Sequence, residues 1–347
     1  MFDVEPRKYI SKEAVDKSAT KLVPENSVAI VTRVGVGKLA FMPFSYATSQ
    51  DFLSLCELQT EPQFIVYALY KKLKLEFNAV QGTSIKGITK DELLAQKIMI
   101  PCYEEQGKIG NYLHSLDHLI TLHQRKCEQT KKLKKYMLQK MFPQNGAKVP
   151  EIRFDGYTYD WEQRKLGDVC SRVQGNDGRM KLPTLTISAG NGWMRQEDRF
   201  SGNIAGNEQK NYTLLHTGEL SYNHGNSKLA KYGAVFSLRN YEEALVPRVY
   251  HSFRVEEGSA DYIEYYFATK LPDRELRKLI SSGARMDGLL NIGYDEFMGI
   301  KMMFPSIKEQ NEIAAYFRSL DHLITLHQRK CDELKKMKKY MLQNMFI

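Results

Sequence analysis

The stretch "SLDHLITLHQRKC" occupies residues 115–127 and recurs without a substitution at residues 319–331. At this offset of 204 residues the similarity extends over residues 91–142 and 295–346, with 32 identities in 52 positions and no gap. A period near 200 residues is too long for a solenoid repeat. The chain therefore consists of two homologous halves in tandem.

Length and composition bound the class of protein. A chain of 347 residues with 42% hydrophobic content is long enough for two domains that each bury a core. It contains no run of 18 apolar residues, and its N-terminus "MFDVEPRKYISKE" is charged from the third residue, which argues against a membrane span and a signal peptide. We therefore expect a cytoplasmic protein without contact to a membrane.

The net charge of +9 is concentrated in the repeated segments. Residues 106–142 carry a net charge of +6 and residues 310–347 a net charge of +3, so the rest of the chain is balanced. Two interpretations stay open: a solvated face that complements the helix dipole, or a surface that binds phosphate or an acidic partner. The lysines concerned are Lys131, Lys132, Lys134, Lys135, Lys335, Lys336, Lys338 and Lys339.

Each repeated segment has the periodicity of one long amphipathic helix, with no Gly or Pro after its first turn. Apolar residues recur at spacings of three, four and seven, which places them on one stripe. About 35 residues form a rod on the order of 50 Å long, too long to be buried all round in a small domain. The predicted seam consists of Leu113, Leu116, Ile120, Cys127, Met137, Phe317, Leu320, Ile324, Cys331 and Met341.

The duplication supplies a partner for each helix. We predict that the two helices bury their stripes against each other as an intramolecular antiparallel coiled coil, with Cys127 and Cys331 near the seam. The prediction is wrong if Ile120 and Ile324 both face solvent. Because polar residues interrupt the stripes, separate helices that pack on their own domains remain an alternative. The interruptions are His123, Thr130, Lys134, His327 and Lys338.

The rest of the sequence predicts two mixed domains and an α+β fold class. Short β-rich runs between Gly- and Asn-rich turns precede a helical pattern in the second half, and the first half shows the later part of the same plan. No segment of the first half corresponds to "YDWEQRKLGDVCSRV" at residues 159–173, so we expect the first domain to be the less stable. The predicted divisions are a first domain at 1–105, a helix at 106–142, a linker at 143–150, a second domain at 151–305 and a helix at 306–347.

Catalytic and metal-binding motifs fail on inspection. The Gly-Lys of "TRVGVGKL" lacks the preceding Gly and following Ser or Thr of a phosphate-binding loop. His114 and His118 have the i, i+4 spacing of a helical metal-binding pair, but the second copy has Arg318 in place of the first histidine. The five cysteines are widely spaced and include no Cys-x-x-Cys pair. No Pro-Pro dipeptide is present, which excludes the Asn-Pro-Pro-aromatic loop of amino-methylating DNA methyltransferases. We predict no metal site and no catalytic residue.

Several loops have the composition of nucleic-acid readers. The stretches "SYNHGNSKLAKYG" and "SAGNGWMRQEDRFSGN" of the second domain combine amide and basic side chains with Gly, and "TRVGVGKL" of the first combines Arg and Lys with Gly. Asn and Arg can pair with base edges, while Lys and Arg hold phosphates. The candidate DNA-binding residues are Arg195, Arg199, Asn223, His224, Asn226, Lys228, Lys231, Arg33 and Lys38.

The arrangement resembles the DNA-specificity subunit of type I restriction-modification systems. The features that carry the resemblance are "DWEQRKLGDV" at residues 160–169, the pattern P-x-x-x-E-Q-x-x-I at residues 101–109 and 305–313, and the helix ending "KKYMLQKMFP". The family alternates two target-recognition domains with two similar helical regions. The shortened first domain departs from this pattern.

The resemblance implies a non-catalytic subunit with several partners. Each target-recognition domain would read one half of a split site on double-stranded DNA, while the helices hold the halves apart and dock two methyltransferase subunits, which restriction subunits join. S-adenosylmethionine, ATP and Mg²⁺ would belong to those partners, and no cofactor to this chain. Alternatives are a structural coiled-coil adaptor, an inactive truncated specificity subunit and, disfavoured by the missing motifs, a self-contained nuclease or methyltransferase.

Overall fold

The computed structural model describes the whole chain except residues 3, 7, 34–35, 80–87, 201–205, 226, 281–289 and 347, and for residues 75–79 it describes the backbone without the side chains. The chain divides into two compact units. The first comprises residues 1–127 and 325–347, and the second comprises residues 128–324. Each unit therefore combines a globular domain with part of each long helix.

The first unit contains α1 (Lys12–Asp16), β1 (Lys21–Val23), β2 (Ser27–Val31), β3 (Leu39–Met42), β4 (Tyr46–Thr48), β5 (Phe52–Leu55), α2 (Pro62–Ala79), α3 (Lys90–Leu94) and most of α4 (Tyr103–Lys140). Its three-stranded antiparallel sheet has the order β3-β2-β5, and β1 pairs with β4. Val28 and Ile30 of β2 are fully buried and belong to one core with Val66, Leu69 and Leu73 of α2.

The second unit contains the end of α4, β6 (Glu162–Lys165), β7 (Cys170–Val173), β8 (Leu185–Ser188), β9 (Gly192–Arg195), α5 (Gln196–Phe200), β10 (Thr213–His216), β11 (Leu220–Asn223), β12 (Ala234–Ser237), β13 (Glu243–Val246), β14 (His251–Val255), α6 (Ala260–Ala268), α7 (Asp273–Leu279), α8 (Tyr294–Met298), β15 (Lys301–Phe304) and the start of α9 (Ile307–Asn344). Leu166–Asp168 and Gly206–Asn211 form 3-10 helices. The main sheet has the order β12-β11-β14-β7. Its core includes a stacked pair of rings, Tyr222 and Phe297, whose centroids are 4.3 Å apart.

The two domains share one plan. β1–β5 pair in the same way as β10–β14, and α2 and α3 follow their sheet as α6 and α8 follow theirs. Two mixed domains with long helices confirm the predicted α+β class. In the described part of the first domain, however, no strand corresponds to β6–β9.

The long helices run antiparallel where they meet in the first unit. Tyr112 Oη of α4 lies 3.5 Å from Met337 Sδ of α9, and His123 Nδ1 further along α4 lies 3.0 Å from His327 Nδ1. Residue numbers thus rise on one helix as they fall on the other. The first-unit core between α4, α9 and α2 is formed by Phe64, Tyr67, Ala68, Ile109, Leu113, Leu116, Ile120, Cys331 and Leu334.

The second unit repeats this arrangement with the helices exchanged. Phe142 follows α4, and its ring stacks on that of Phe317 of α9 with 5.9 Å between centroids. Among the predicted seam residues, Leu113, Leu116, Ile120, Cys127, Phe317, Leu320 and Cys331 are buried, while Met137, Ile324 and Met341 are half-buried. Ile120 does not face solvent, so the stated condition for rejecting the pairing is not met.

A repeated trio of polar residues, the Tyr–Asp–Lys triads, joins each domain to its helices. In the first unit Tyr67 Oη donates to Asp117 Oδ2 at 2.7 Å, and Lys338 Nζ lies 2.5 and 2.6 Å from the two carboxylate oxygens of Asp117. Lys338 Nζ is also 5.1 Å from the centre of the Tyr67 ring. The lysine that interrupts the apolar stripe is therefore paired across the seam.

The second triad uses the equivalent residues of the other half. Tyr265 Oη donates to Asp321 Oδ2 at 2.9 Å, and Lys134 Nζ lies 2.5 and 2.7 Å from the carboxylate oxygens of Asp321. Both aspartates come from the repeated "SLDHL", and both lysines come from the repeated "KKYMLQ" segment. One copy of the repeat thus completes the ion pair of the other.

The start of α4 differs from the sequence prediction. The helix begins at Tyr103 rather than at residue 106, so Gly107 and Gly110 lie beyond its first turn. A Cβ added at Gly110 would lie 2.8 Å from the backbone nitrogen of Phe64, whereas one at Gly107 would meet nothing within 4 Å. Gly110 is therefore what allows α2 to approach the helix so closely.

Candidate nucleic-acid interface

An open cleft of about 400 Å³ lies in the second unit between the β8–β9 turn and the β11–β12 connection. Three of the candidate residues, Arg199, Asn223 and Lys228, line it. The remaining lining is small or apolar and comprises Ile187, Ser188, Ala189, Gly190, Gly225, Ser227, Leu229, Ala230 and Ala234. The fold thus brings together side chains from loops separated in sequence.

The side chains of Arg199 and Asn223 donate hydrogen bonds to the same backbone carbonyl in the wall of the cleft. The carbonyl oxygen of Ile187 accepts from Asn223 Nδ2 at 3.2 Å and from Arg199 Nη1 at 2.9 Å. Asn223 Oδ1 accepts from the backbone N–H of Gly225 at 3.0 Å. The Asn223 amide keeps a second N–H and a second lone pair, and the guanidinium keeps further donors, so both can still serve a ligand.

The tip of the β11–β12 connection presents positive charge. Lys228 and Lys231 are exposed, and neither is paired with a carboxylate among the residues that the structure describes. Lys231 Nζ lies 5.7 Å from the centre of the Tyr232 ring. Leu229 between them is 71% exposed. Ammonium groups free of protein acids are suited to phosphate oxygens.

His224 does not add to this surface. His224 is buried, with Nδ1 at 2.8 Å from the carbonyl oxygen of Leu290 and Nε2 at 2.9 Å from that of Val249. Both ring nitrogens are occupied by backbone groups, so His224 holds segments of the domain together and does not reach a base edge. Asn226 lies outside the described residues.

Arg195 lines a different groove of about 280 Å³ together with Lys181, and its Nη1 lies 2.9 Å from Glu197 Oε1. Sequence inspection had not singled out Lys181, because a lone lysine before "LPTLTIS" carries no pattern. Arg195 directly precedes α5 and Arg199 lies within it, and the two arginines line different grooves.

The first domain places Arg33 and Lys38 on the β2–β3 connection, which occupies the same place in its sheet as the β11–β12 connection. Both side chains are exposed. Arg33 Nη1 lies 3.4 Å from Asp51 Oδ1. Basic residues therefore occupy equivalent hairpin connections in the two domains.

The helices carry a second apolar surface, here termed the outer stripe, that the predicted seam did not include. Its members are exposed, form pairs three residues apart that recur 14 residues further along each helix, and recur at the repeat offset of 204 residues. In the first unit Tyr112 Oη of α4 lies 3.5 Å from Sδ of Met337, a member of the outer stripe of α9. The outer stripe consists of Leu119, Leu122, Leu133 and Tyr136 of α4 and Leu323, Leu326, Met337 and Tyr340 of α9.

The described part of the chain contains neither a cluster of metal ligands nor a membrane-spanning helix. No three His, Cys, Asp or Glu side chains there gather around a point that could hold a metal ion. No described helix is long and apolar enough to cross a membrane.

Two α+β domains of one topology, each followed by a long helix, define the chain as a tandem duplication of a domain-plus-helix unit. A family model described as the type I restriction modification DNA specificity domain matches it twice, over residues 4–132 and 159–336. The chain belongs to this family.

Similar proteins include two specificity subunits from Methanocaldococcus jannaschii. The type I restriction enzyme MjaVIII specificity subunit is 22% identical over 303 residues, covering 80% of this chain and 68% of the relative. The MjaIX specificity subunit is 24% identical over 184 residues, covering 48% of this chain and 41% of the relative. In the solved S subunit of a type I restriction-modification system from M. genitalium, the fold matches with a TM-score of 0.60 at 14% identity, over 93% of this chain and 83% of that one.

Proposed function

We propose that the chain is the sequence-specific DNA-recognition and assembly subunit of a type I restriction-modification complex. Each domain reads one half of a bipartite site on double-stranded DNA, and the helices dock methyltransferase subunits. The observation that carries the proposal is the placement of exposed basic residues on equivalent connections, Arg33 and Lys38 between β2 and β3, and Lys228 and Lys231 between β11 and β12. Two similar readers in one chain suit two half-sites.

The outer stripe supports the assembly role. Exposed apolar side chains that recur along a helix mark an interaction surface, because leaving them in water is unfavourable. The stripe occurs once per repeat, so one kind of partner could bind twice through equivalent faces. A partner helix with an apolar face would cover it.

The chemistry of the complex belongs to the partners. A methyltransferase subunit would flip an adenine out of the stack and methylate it with its own S-adenosylmethionine, and restriction subunits would use ATP and Mg²⁺. This chain supplies the position of the DNA relative to those subunits.

DNA recognition is tested by the salt dependence of binding. The full chain is titrated with a duplex of mixed sequence at several salt concentrations. Replacing Lys228 and Lys231 by Gln should lower the slope of log affinity against log salt by roughly 1 to 2, since each lost phosphate contact removes about 0.9. Lys278→Gln, at an exposed lysine paired with Glu275, is the matched control. An unchanged slope in the double variant counts against the proposal.

Docking is tested by counting bound subunits. The double substitution of Leu323 and Leu326 by Asp should reduce the methyltransferase subunits held per chain from two to one by native mass spectrometry. Gln328→Asp, at an exposed position on another side of the same helix, adds the same kind of charge as a control. If the double variant still binds two subunits, the outer stripe does not dock the methyltransferase subunits.

A further inference from the structure

The amide of Asn223 is held in one orientation at the wall of the cleft in the second domain. Its Nδ2 donates to the carbonyl oxygen of Ile187 at 3.2 Å, and its Oδ1 accepts from the backbone N–H of Gly225 at 3.0 Å. Because a carbonyl oxygen only accepts and a backbone N–H only donates, these two partners determine which end of the amide carries the oxygen. Asn223 therefore presents nitrogen and oxygen in a fixed order.

The same two hydrogen bonds leave half of the amide unused. An Asn side chain has two N–H donors and two oxygen lone pairs, and one of each is engaged by Ile187 and Gly225. The amide has no further partner among the residues that the structure describes. The side chain is half-buried and lines the cleft, so a ligand in the cleft meets one donor next to one acceptor.

A donor beside an acceptor distinguishes adenine from the other bases at the edge that faces the major groove of DNA. Adenine presents N7 as an acceptor and N6–H as a donor, so it can bond to both ends of an Asn amide. Guanine presents two acceptors at N7 and O6, cytosine presents the N4 donor, and thymine presents the O4 acceptor beside a methyl group. Each of these leaves one end of the amide unpaired, which costs affinity once DNA covers the cleft.

An apolar side chain in the same cleft matches the other half of an A·T pair. Leu229 lines the cleft and is 71% exposed. A Cβ added at Gly190 would lie 3.2 Å from Leu229 Cδ1, so this side chain lies against the turn between β8 and β9. Ala230 and Ala234 add further apolar lining. The C5 methyl group of thymine is the apolar feature of the major groove, and it suits such a surface.

The first domain has a different side chain at the corresponding position. Asn223 of β11 lies opposite Ala234 of β12, and Val31 of β2 donates its N–H to the carbonyl oxygen of Lys38 at 2.8 Å. The two pairs are equivalent, because Ala234 and Lys38 each directly follow a glycine in the left-handed region. Val31 therefore stands where the second domain has Asn223, and it has no amide with which to bind a base. A residue that reads sequence is expected to differ between the readers of two different half-sites.

We propose that Asn223 reads an adenine in the half-site of the second domain, and that Leu229 packs against the methyl group of the thymine paired with it. Asn223 Nδ2 donates to N7 of the adenine, and Oδ1 accepts from its N6–H. This assignment rests on the proposed function, in which the second domain reads one half-site. The lysines of the β11–β12 connection hold phosphates and specify no base, whereas Asn223 and Leu229 specify one base pair.

The first experiment removes one atom of the DNA at a time. The motif is obtained from adenine methylation in a host that expresses the chain with its methyltransferase subunit. The complex is then titrated with duplexes in which one adenine of the motif is 7-deazaadenine, which lacks the N7 acceptor. At one position this change should weaken binding roughly tenfold for the wild type and less than about twofold for Asn223→Ala. Asn240→Ala, at an exposed amide outside the cleft, should keep the full loss.

Two results of this experiment would overturn the proposal. One is a wild-type complex that tolerates 7-deazaadenine at every adenine of the motif, a result that requires no variant to fold. The other is an Asn223→Ala complex that binds all duplexes more weakly yet keeps the sensitivity to 7-deazaadenine, since Asn223 would then only hold the wall of the cleft together. A complex that binds no DNA sequence in preference to others overturns the proposed function, and the assignment of Asn223 with it.

The thymine provides a second test that leaves Asn223 unchanged. Uracil in place of the thymine paired with the sensitive adenine removes only the methyl group. This change should weaken binding roughly fourfold for the wild type and have no effect on Leu229→Ala, whose exposed position allows the domain to fold as before. An equal loss in both complexes, or no loss in either, would overturn the contact of Leu229 with the A·T pair.

Discussion

At the scale of single residues, the Tyr–Asp–Lys triads explain why the apolar stripe of each helix contains a lysine. Lys338 is largely buried, and its charge is balanced by Asp117. The Asp117 carboxylate also accepts a hydrogen bond from the Tyr67 hydroxyl. Removing one partner of a partly buried, hydrogen-bonded ion pair is strongly destabilising, because the other charge is left uncompensated. The triads therefore fix which positions of the two helices face each other.

We predict that Lys338→Met lowers the free energy of unfolding by about 1–3 kcal/mol, because it leaves the Asp117 carboxylate without its cation. Urea denaturation of the full chain measures this change. Lys339→Met, at the exposed neighbouring position, should change stability by no more than about 0.5 kcal/mol. In a double-mutant cycle, Asp117→Asn should recover part of the loss, and strict additivity would show that the pair is not coupled.

The facing histidines give the helix pair a dependence on pH. His123 Nδ1 and His327 Nδ1 are 3.0 Å apart, which suits one shared hydrogen bond and disfavours two charged rings. Burial, then the positive charges of His327, Lys126 and Lys330, lower the pKa of His123. Burial also lowers the pKa of His251 in the second domain.

We predict that the protein loses stability as the pH falls below about 6.5, the pKa of histidine in an unfolded chain. Below that value the unfolded state takes up a proton that folded His123 resists, and the loss levels off once the pH passes the lowered folded pKa. His123→Gln should reduce the fall in melting temperature between pH 7.5 and 5.5 by about 2–4 °C. The control is His118→Gln at an exposed position. An identical pH dependence in wild type and H123Q contradicts the prediction.

Residue identity in the sequence indicated some of these roles and concealed others. The loop composition suggested Lys228 and Arg199 as DNA-binding residues, which stays a prediction, and both line the cleft. The same composition also suggested His224, which is buried with both ring nitrogens against backbone carbonyls. Burial depends on segments distant in sequence, such as the one at Leu290, so composition within a loop cannot reveal it.

At the scale of elements, the seam was predictable because a helix repeats every 3.6 residues and the apolar positions follow that period. The outer stripe follows the same period but was hidden in the sequence, since Leu119 and Leu133 stand beside seam residues and could be counted with them. Exposure in the folded chain separates the two surfaces.

The strand pairings were not predictable in the same way. β6 pairs with β15 although more than 130 residues lie between them, and no local pattern in "EQRK" identifies "KMMF" as its partner. What the sequence did reveal was the absence of a counterpart to residues 159–173 in the first half. In the structure, residues 97–100 and β5 hold the positions that β15 and β14 hold in the second domain.

The contact of α2 with α4 depends on a residue without a side chain. We predict that Gly110→Ala destabilises the first unit by about 1–3 kcal/mol, because the added Cβ would lie 2.8 Å from the backbone nitrogen of Phe64. Gly107→Ala is the matched control and should stabilise by roughly 0.5–1 kcal/mol, since it gains helix propensity in open space. Thermal unfolding of both variants measures the difference, and equal melting temperatures would contradict the assigned packing.

At the scale of the whole molecule, the net charge does not by itself locate the DNA-binding surface. The helices contain the excess of +9, yet Lys134 and Lys338 are engaged by Asp321 and Asp117. The loops with exposed lysines lie in domains whose overall charge is balanced. Recognition of a particular sequence would then rest on loop geometry, while the remaining helix lysines strengthen attraction to any phosphate or acidic partner.

The last prediction concerns the division of labour between the two domains. If each reads its own half-site, replacing the β11–β12 connection by an unrelated sequence of equal length should change one half of the methylated motif and leave the other half unchanged. Replacing the β2–β3 connection should do the converse. The number of base pairs between the halves should stay constant, because neither replacement touches the helices. Each reader would act through side chains on its own connection, Lys228 in one and Lys38 in the other.

The measurement is the pattern of adenine methylation in a host that lacks other modification systems and expresses the chain with its methyltransferase subunit. Simultaneous change in both halves after a single replacement would mean that the domains do not read independently. A palindromic motif built from one half-site would mean that the second domain alone reads DNA.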